Sequence, residues 1–194
     1  MRLFLLARHA ESVLNLERRI NGDPSVEVPL TEEGEAQAHR LAAEIANVPL
    51  EACVHTRFGR TRQTAELALQ DRDVPFLELP LLDDIDIGEL EGEDLDSYRA
   101  WKHSHPRSVP FPGGESLDDA ARRYAQAFGE LLRLPHRNVL VVTHEIPIRY
   151  ALNGARGSDS LDGPAHEVAN AVPYLFDDAS LGRAATGIDA ILAG

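Results

Sequence analysis

The sequence predicts an α/β fold, a three-layer α/β/α sandwich with a mostly parallel central sheet. Residues 3–7 and 139–142 are almost purely apolar runs of strand length, and uninterrupted apolar strands indicate a sheet covered on both faces. Helical patterns lie between these runs, and strands that alternate with helices indicate parallel pairing. We expect a single domain over residues 1–194, because a chain of 194 residues can bury a core without metals or disulfides.

Three further segments are candidate strands. Residues 52–54 form a short apolar run, while residues 76–79 and 174–176 carry a weaker apolar signal. Together with the two long runs, they supply the strands of the predicted sheet.

Three segments have helical patterns. Thr31 can cap the first, because two glutamates follow it in the first turn and apolar residues then share one face. Residues 60–69 form the second. Residues 116–132 form the clearest, since Ser116 can cap the helix and two aspartates occupy its first turn.

Composition and charge exclude several classes of protein. The chain has 19 basic and 32 acidic residues, a formal net charge of −13, which argues against nucleic-acid and membrane partners because these require a basic surface. Cys53 is the single cysteine, which excludes an internal disulfide framework and a zinc site built on several thiolates. A lone cysteine suits a reducing cytoplasm, the location we expect. The apolar runs are shorter than the roughly 20 residues that span a bilayer.

Basic residues follow three of the candidate strands. Arg8 and His9 follow the first strand, Arg60 comes soon after the short run, and His144 follows the second long run. A lone histidine after a strand is more often a turn residue, and arginines at a helix start oppose the helix dipole. Their convergence at the carboxyl edge of parallel strands is the stronger signal, and it predicts an anion-binding site beside a helix N-terminus.

Short motifs occur in a definite order between residues 1 and 176. They are RHAES at 8–12, PLTEEG at 29–34, RTRQTA at 60–65, DIGELEG at 86–92, PGGES at 112–116 and VVTH at 141–144. In content and order this set resembles the histidine phosphatase superfamily, specifically the branch of cofactor-dependent phosphoglycerate mutase and its related small phosphatases. Any one motif is weak, but the ordered set is highly specific.

The resemblance implies a phosphoryl-transfer site that uses no metal and no cofactor. The implied catalytic residues are His9, Asp84 and His144, with His9 as the nucleophile that forms a phosphohistidine and Asp84 as the acid that protonates the leaving oxygen. The implied phosphate-binding residues are Arg8, Asn15, Arg60 and His144. Arginine suits this role because its planar guanidinium donates two hydrogen bonds to phosphate. The arginines also disfavour a charged imidazole, which keeps the attacking nitrogen free.

Four positions depart from the family pattern. Ala10 replaces a glycine, which is tolerated only if φ there is negative. Arg57 stands in a segment that is normally serine-proline-leucine, and it either adds charge to the pocket rim or faces solvent. Glu145 replaces a glycine after the second histidine, and its carboxylate either points away or restricts the substrate. Asp84 is one methylene shorter than the usual glutamate, and three neighbouring carboxylates are alternatives: Asp83, Asp86 and Glu89.

Two reactions fit this site, a phosphatase and a phosphomutase. A mutase must protect its phosphohistidine from water with a lid, and the small variable cap region around 93–115 is short, which favours a phosphatase. A non-catalytic phospho-ligand-binding protein is a third hypothesis, disfavoured by the intact Arg8, His9, Arg60 and His144. A metal-binding protein is a fourth, and no ligand spacing supports it.

The expected partner is a small phosphorylated substrate. Its specificity is expected to depend on variable loops at 16–29, 93–112 and 155–168. The negative charge of the chain disfavours bulky polyanions, because the field outside the pocket repels them. The sequence specifies no oligomeric state.

Overall fold

A five-stranded sheet lies at the centre of the molecule. The computed structural model describes residues 2–194. The strands are β1 (Leu3–Arg8), β2 (Ala52–His55), β3 (Phe76–Glu78), β4 (Asn138–Thr143) and β5 (Pro173–Asp177). Their order across the sheet is β3-β2-β4-β1-β5, and every pair is parallel except β1 with β5. The predicted α/β class with a mostly parallel sheet is therefore confirmed.

Helices cover both faces of this sheet. In the part of the chain that the structure describes, they are α1 (Val13–Leu16), α2 (Glu32–Glu44), α3 (Gly59–Ala68), α4 (Leu95–Ser104), α5 (Leu117–Arg133), α6 (Glu145–Arg156) and α7 (Asp178–Ala193). Helices α2 and α3 pack on one face, and α5, α6 and α7 pack on the other. None of the helices within residues 2–194 has the length and apolar character needed to cross a membrane.

The alternation of side chains along the strands divides the core into two layers. In β1, Leu5 and Ala7 face the layer of α2 and α3, whereas Phe4 and Leu6 face the layer of α5, α6 and α7. All four side chains are at most 1% exposed. Burial on both faces explains why this strand is a continuous apolar run in the sequence.

Four helices lie where the sequence patterns predicted none: α1, α4, α6 and α7. Helices α1 and α4 have no buried residue, and α1 is only four residues long. Helix α6 has Pro147 in its first turn, where proline is tolerated because the missing N–H would have no intrahelical acceptor. Helix α7 buries only Leu181, Ala184 and Ile188, a narrow stripe among small residues.

The topology brings three loops to one edge of the sheet. Strands β2, β4 and β1 are parallel neighbours, so the residues after their carboxyl ends meet at that edge. The loop after β1 packs tightly against the start of α2. A Cβ on Gly34 would lie 2.1 Å from the carbonyl oxygen of Glu11, so this approach requires glycine.

Candidate active site

Groups from β4, from α3 and from the loop before β5 fix the backbone around His9. The His9 N–H donates to the Thr143 carbonyl of β4 at 2.8 Å, and Asn170 Nδ2 donates to the His9 carbonyl at 2.8 Å. The next N–H, that of Ala10, donates to Thr64 Oγ1 of α3 at 3.0 Å. Ala10 is buried and does not adopt a positive φ, which satisfies the condition for replacing glycine there.

The hydrogen bonds of the His9 imidazole define its tautomer. Nδ1 lies 2.7 Å from the Ala10 carbonyl oxygen, which can only accept, so Nδ1 carries the proton. Nε2 accepts a hydrogen bond from Arg60 Nε at 3.0 Å, so it carries a lone pair. Burial lowers the pKa of His9 well below its usual 6.5, and the charges of Arg60 and Arg8 lower it further. The imidazole is neutral with Nε2 available as a nucleophile.

Arg60 links the polar groups of the site. It lies in the first turn of α3 and is only 4% exposed. Its Nη2 donates to Asp84 Oδ2 at 3.2 Å and to His144 Nδ1 at 3.1 Å. Asn21 accepts from the guanidinium through both its side-chain and its backbone oxygens, and the guanidinium carbon lies 4.2 Å from the centroid of the Phe58 ring. The buried charge thus has partners on several sides.

His144 is the fully buried N-cap residue of α6. Because its Nδ1 accepts from Arg60, Nε2 carries the proton and donates to Thr56 Oγ1 at 3.0 Å. Burial lowers the pKa of His144 well below 6.5, with a further contribution from Arg60. Its ring lies edge-on to that of His9, with 5.4 Å between centroids. The site therefore holds two neutral imidazoles beside one buried guanidinium.

Asp84 is the carboxylate nearest to this group. Its Oδ2 lies 3.2 Å from Arg60 Nη2 and 3.4 Å from His144 Nδ1, and Oδ1 accepts from the Ile85 N–H at 3.1 Å. Burial raises the pKa of Asp84, and the positive charge of Arg60 opposes that rise. A quarter of the side chain (25%) stays exposed. A raised pKa favours the protonated form that a general acid requires.

The alternative carboxylates of the same loop are directed elsewhere. Asp83 pairs with Arg57, which is 52% exposed, and both line a second cavity of about 420 Å³. Asp86 is exposed and accepts from the Gly88 N–H, and Glu89 is also exposed. Arg57 therefore lies outside the cavity of His9.

Arg8 ends β1 and is anchored through one nitrogen. Its Nη1 donates to the Val168 carbonyl at 3.0 Å and lies 3.0 Å from Glu145 Oε2. Its Nε is buried and has no hydrogen-bond partner among residues 2–194. Since Nη1 is committed, the remaining edge of the guanidinium is the part available for a phosphoryl group.

Asn15 lines the same cavity, but part of its amide is already engaged. Its Oδ1 accepts from the Ser12 N–H at 3.2 Å, and Ser12 Oγ accepts from the Asn15 N–H at 3.4 Å. These two bonds form the capping box of α1. The Nδ2 amide group is the donor that remains for an anion.

A cavity of about 670 Å³ opens beside His9. Five of the six implied site residues line it directly, namely Arg8, His9, Asn15, Arg60 and Asp84. His144 lies behind Arg60. The three variable loops contribute lining residues at 18–22, 95–103 and 162–166. Within residues 2–194, no group of three or more His, Cys, Asp or Glu side chains is arranged to hold a metal ion.

Several residues of the site were not singled out from the sequence. The sequence assigns no role to Asn21 or Thr56, yet Asn21 accepts from Arg60 and Thr56 contacts His144. Arg149 also lines the cavity from α6. An arginine one helical turn after Glu145 was a possible signal, because residues four apart share a helix face.

Comparison with known proteins identifies the family of this chain. The profile of the histidine phosphatase superfamily (branch 1) matches residues 4–177. The chain belongs to the histidine phosphatase superfamily. The family predicted from the ordered set of motifs is therefore confirmed.

Similar proteins within this superfamily carry different names. The 2,3-bisphosphoglycerate-dependent phosphoglycerate mutase 2 of Gloeobacter violaceus is 34% identical over 193 residues, covering 91% of this chain and 86% of its own. The structure of Bacillus stearothermophilus YhfR has a TM-score of 0.79 at 27% identity, covering 90% of each chain. That of the alpha-ribazole phosphatase from Shigella flexneri has a TM-score of 0.80 at 22% identity, covering 90% of each chain, and shows the shared fold.

Members of the histidine phosphatase superfamily are phosphatases and phosphomutases. The chemistry common to both is phosphoryl transfer, and the similar proteins divide between the two names. The choice between the two reactions depends on what receives the phosphoryl group.

Proposed function

We propose that this protein is a metal-independent phosphomonoester hydrolase that works through a phosphohistidine on His9. The observation that carries the proposal is the neutral His9 imidazole, whose Nε2 lone pair accepts from Arg60, the residue that also binds Asp84. A nucleophile (His9), a cation for the phosphate (Arg60) and an acid (Asp84) are thus held together in one cluster.

In the first half-reaction, His9 Nε2 attacks phosphorus. The N–P bond forms as the P–O bond to the leaving group breaks, and Asp84 delivers its proton to the leaving oxygen. Arg60 turns its Nε–H from His9 to a phosphoryl oxygen, while Arg8 supplies its free edge. Positive charge spread around the phosphoryl oxygens is the main requirement of phosphoryl transfer.

In the second half-reaction, water attacks the phosphohistidine. Asp84, now a carboxylate, accepts a proton from that water as the new O–P bond forms and the N–P bond breaks. Inorganic phosphate leaves, and both His9 and Asp84 return to their starting protonation states. Splitting one difficult substitution into two easier ones is the general advantage of a covalent intermediate.

The cavity mouth favours water as the acceptor. Arg18 and Arg99 line the mouth, and their side chains are 64% and 62% exposed. A phosphohistidine in such a cavity is accessible to water, whereas a mutase must exclude it. The phosphomutase remains the second candidate because of the 34% identity to a phosphoglycerate mutase.

The direct test is hydrolysis in the presence of a metal chelator. We expect p-nitrophenyl phosphate and a panel of natural phosphomonoesters to release inorganic phosphate at rates that EDTA does not change. Transfer between phosphoglycerates without net phosphate release would favour the phosphomutase. A protein that binds phosphate but carries out neither reaction would be a non-catalytic member, and the proposal would be wrong.

Asp84→Asn tests the general acid. We expect kcat/KM for alkyl phosphates to fall by roughly 10²-fold, with a smaller loss for p-nitrophenyl phosphate, because a good leaving group needs less protonation.

The pH profile gives a second test of Asp84. In the unchanged protein we expect the alkaline limb to report loss of the Asp84 proton, and the acid limb to lie below 6.5 because the pKa of His9 is lowered. The variant loses the alkaline limb.

Asp86→Asn is the matched control for this substitution. Asp86 is exposed and has no contact with Arg60 or His144, so we expect its kinetics to match the unchanged protein. Equal slowing of alkyl and p-nitrophenyl esters by Asp84→Asn would assign the proton transfer to another group.

A further inference from the structure

The carboxylate of Glu145 lies in the wall of the cavity, next to the phosphate site. Glu145 begins α6 directly after His144. Its Oε2 lies 3.0 Å from Arg8 Nη1, and its Oε1 lies 3.4 Å from Arg149 Nη1. The side chain is 33% exposed and lines the cavity, so it does not point away from the substrate.

The other cations along this wall are already paired. Arg149 Nη2 lies 2.8 Å from Asp162 Oδ1, and Lys102 Nζ lies 3.3 Å from the same oxygen. Arg107 forms an ion pair with the second oxygen of Asp162. Two carboxylates thus neutralise much of the positive charge that lies beyond the phosphate group.

The cations at the mouth have partners as well. Arg18 and Arg99 both pair with Asp96, at 3.6 Å and 3.3 Å. Arg19 donates through Nε to the carbonyl oxygen of Gly92 at 2.6 Å. A second acidic group on a substrate would therefore compete with Asp96 for Arg18 and Arg99.

Two hydrogen-bonding groups without a protein partner also lie in the same cavity. The Tyr98 hydroxyl and Arg149 Nε are buried without a hydrogen-bond partner among residues 2–194, and both residues line the cavity. Tyr98 can donate and accept, Arg149 Nε can donate, and Glu145 can accept. Substrate hydroxyl groups, which both donate and accept, match this set.

We infer that Glu145 makes the site select phosphomonoesters with an uncharged, hydroxyl-bearing leaving group, such as a polyol or sugar phosphate, over those with a second acidic group. This inference deepens the proposed function and rests on it. A carboxylate brought beside Glu145 in a half-buried site loses affinity through like-charge repulsion, on the order of tenfold. A hydroxyl at the same place gains a hydrogen bond to a charged acceptor.

Glycerol 3-phosphate and 3-phosphoglycerate form a matched pair of ligands for the test. They differ mainly in a hydroxymethyl group where the acid has a carboxylate. We would measure both dissociation constants by calorimetry in a His9→Ala background, which prevents turnover during the titration. We expect glycerol 3-phosphate to bind on the order of tenfold more tightly.

Glu145→Gln should remove most of this preference. The glutamine oxygen can still accept from Arg8, so the variant tests the charge and largely preserves the contact. We expect 3-phosphoglycerate to gain roughly tenfold in affinity with little change for glycerol 3-phosphate. Glu167→Gln is the matched control, because Glu167 is exposed on the neighbouring loop and does not line the cavity.

The outcomes separate this inference from the proposed function. Equal affinity for the two ligands, failure of glycerol 3-phosphate to bind, or an unchanged ratio in Glu145→Gln would each overturn the role of Glu145. Hydrolysis by the His9 protein is measured separately. Its absence would reject the phosphatase while leaving the binding ratio as evidence on Glu145.

Discussion

Replacing His9 with alanine is expected to lower kcat/KM for p-nitrophenyl phosphate by on the order of 10⁴-fold or more, because it removes the atom that bonds to phosphorus. The fold should remain intact. The backbone at this position is held by Thr143 and Asn170 through main-chain atoms, which alanine retains. Steady-state phosphate release and circular dichroism, measured on the same samples, check both expectations.

The intermediate itself gives a second readout. Rapid acid-free quenching of the unchanged protein during turnover should yield a phosphorylated peptide that contains His9, detectable by mass spectrometry, and His9→Ala should yield none. His39→Ala is the matched control, because His39 is exposed on α2, and it should retain full activity. A phosphorylated residue elsewhere, or turnover at the normal rate in His9→Ala, would reject the phosphohistidine mechanism.

Replacing Arg60 with alanine is expected to lower kcat/KM by roughly 10³-fold, since removing even one preorganised donor from such a site costs about 10²–10³-fold. Arg60 contacts His9, Asp84 and His144 at once. Its loss removes charge from the transition state and also releases Asp84. We expect kcat to fall more than KM rises, because the charge on the phosphoryl oxygens must be held during transfer.

Two further variants separate charge from geometry at this position. Arg60→Lys keeps a positive charge but not the forked donors, so it should recover only a small part of the loss. Arg62→Ala removes an arginine from the same helix whose side chain is 67% exposed and pairs with Glu66, and it should have little effect. Full activity in Arg60→Lys would show that a point charge is enough and that the fork is dispensable.

Several expectations about the site depended on side-chain direction, and the structure decided each of them. Asp83 and Asp84 are adjacent in the sequence, yet only Asp84 faces Arg60, while Asp83 binds Arg57 on the other side. Arg57 lines a second cavity and does not line the cavity of His9. The carboxylate of Glu145 lines the cavity of His9, so it does not point away from it.

Some strands and helices could be predicted from local sequence patterns, and others could not. The buried strands and the helix after Ser116 carry strong local patterns, so the sequence predicts them. Helices α4 and α7 were not predicted from the sequence, and one has no buried residue while the other buries only three. Their packing against the rest of the fold is decided by contacts between distant segments, which periodicity cannot report.

By itself, the sequence determined the α/β class, the family and the residues proposed for the chemistry. These depend on burial patterns and on motifs within a few residues of one another. Only the tertiary structure decided the tautomer of His9, the pairing of Arg60 with Asp84 and the role of Asn21 and Thr56 in holding the site. The physical reason is that protonation and hydrogen bonding depend on distances of a few ångströms between residues far apart in the chain.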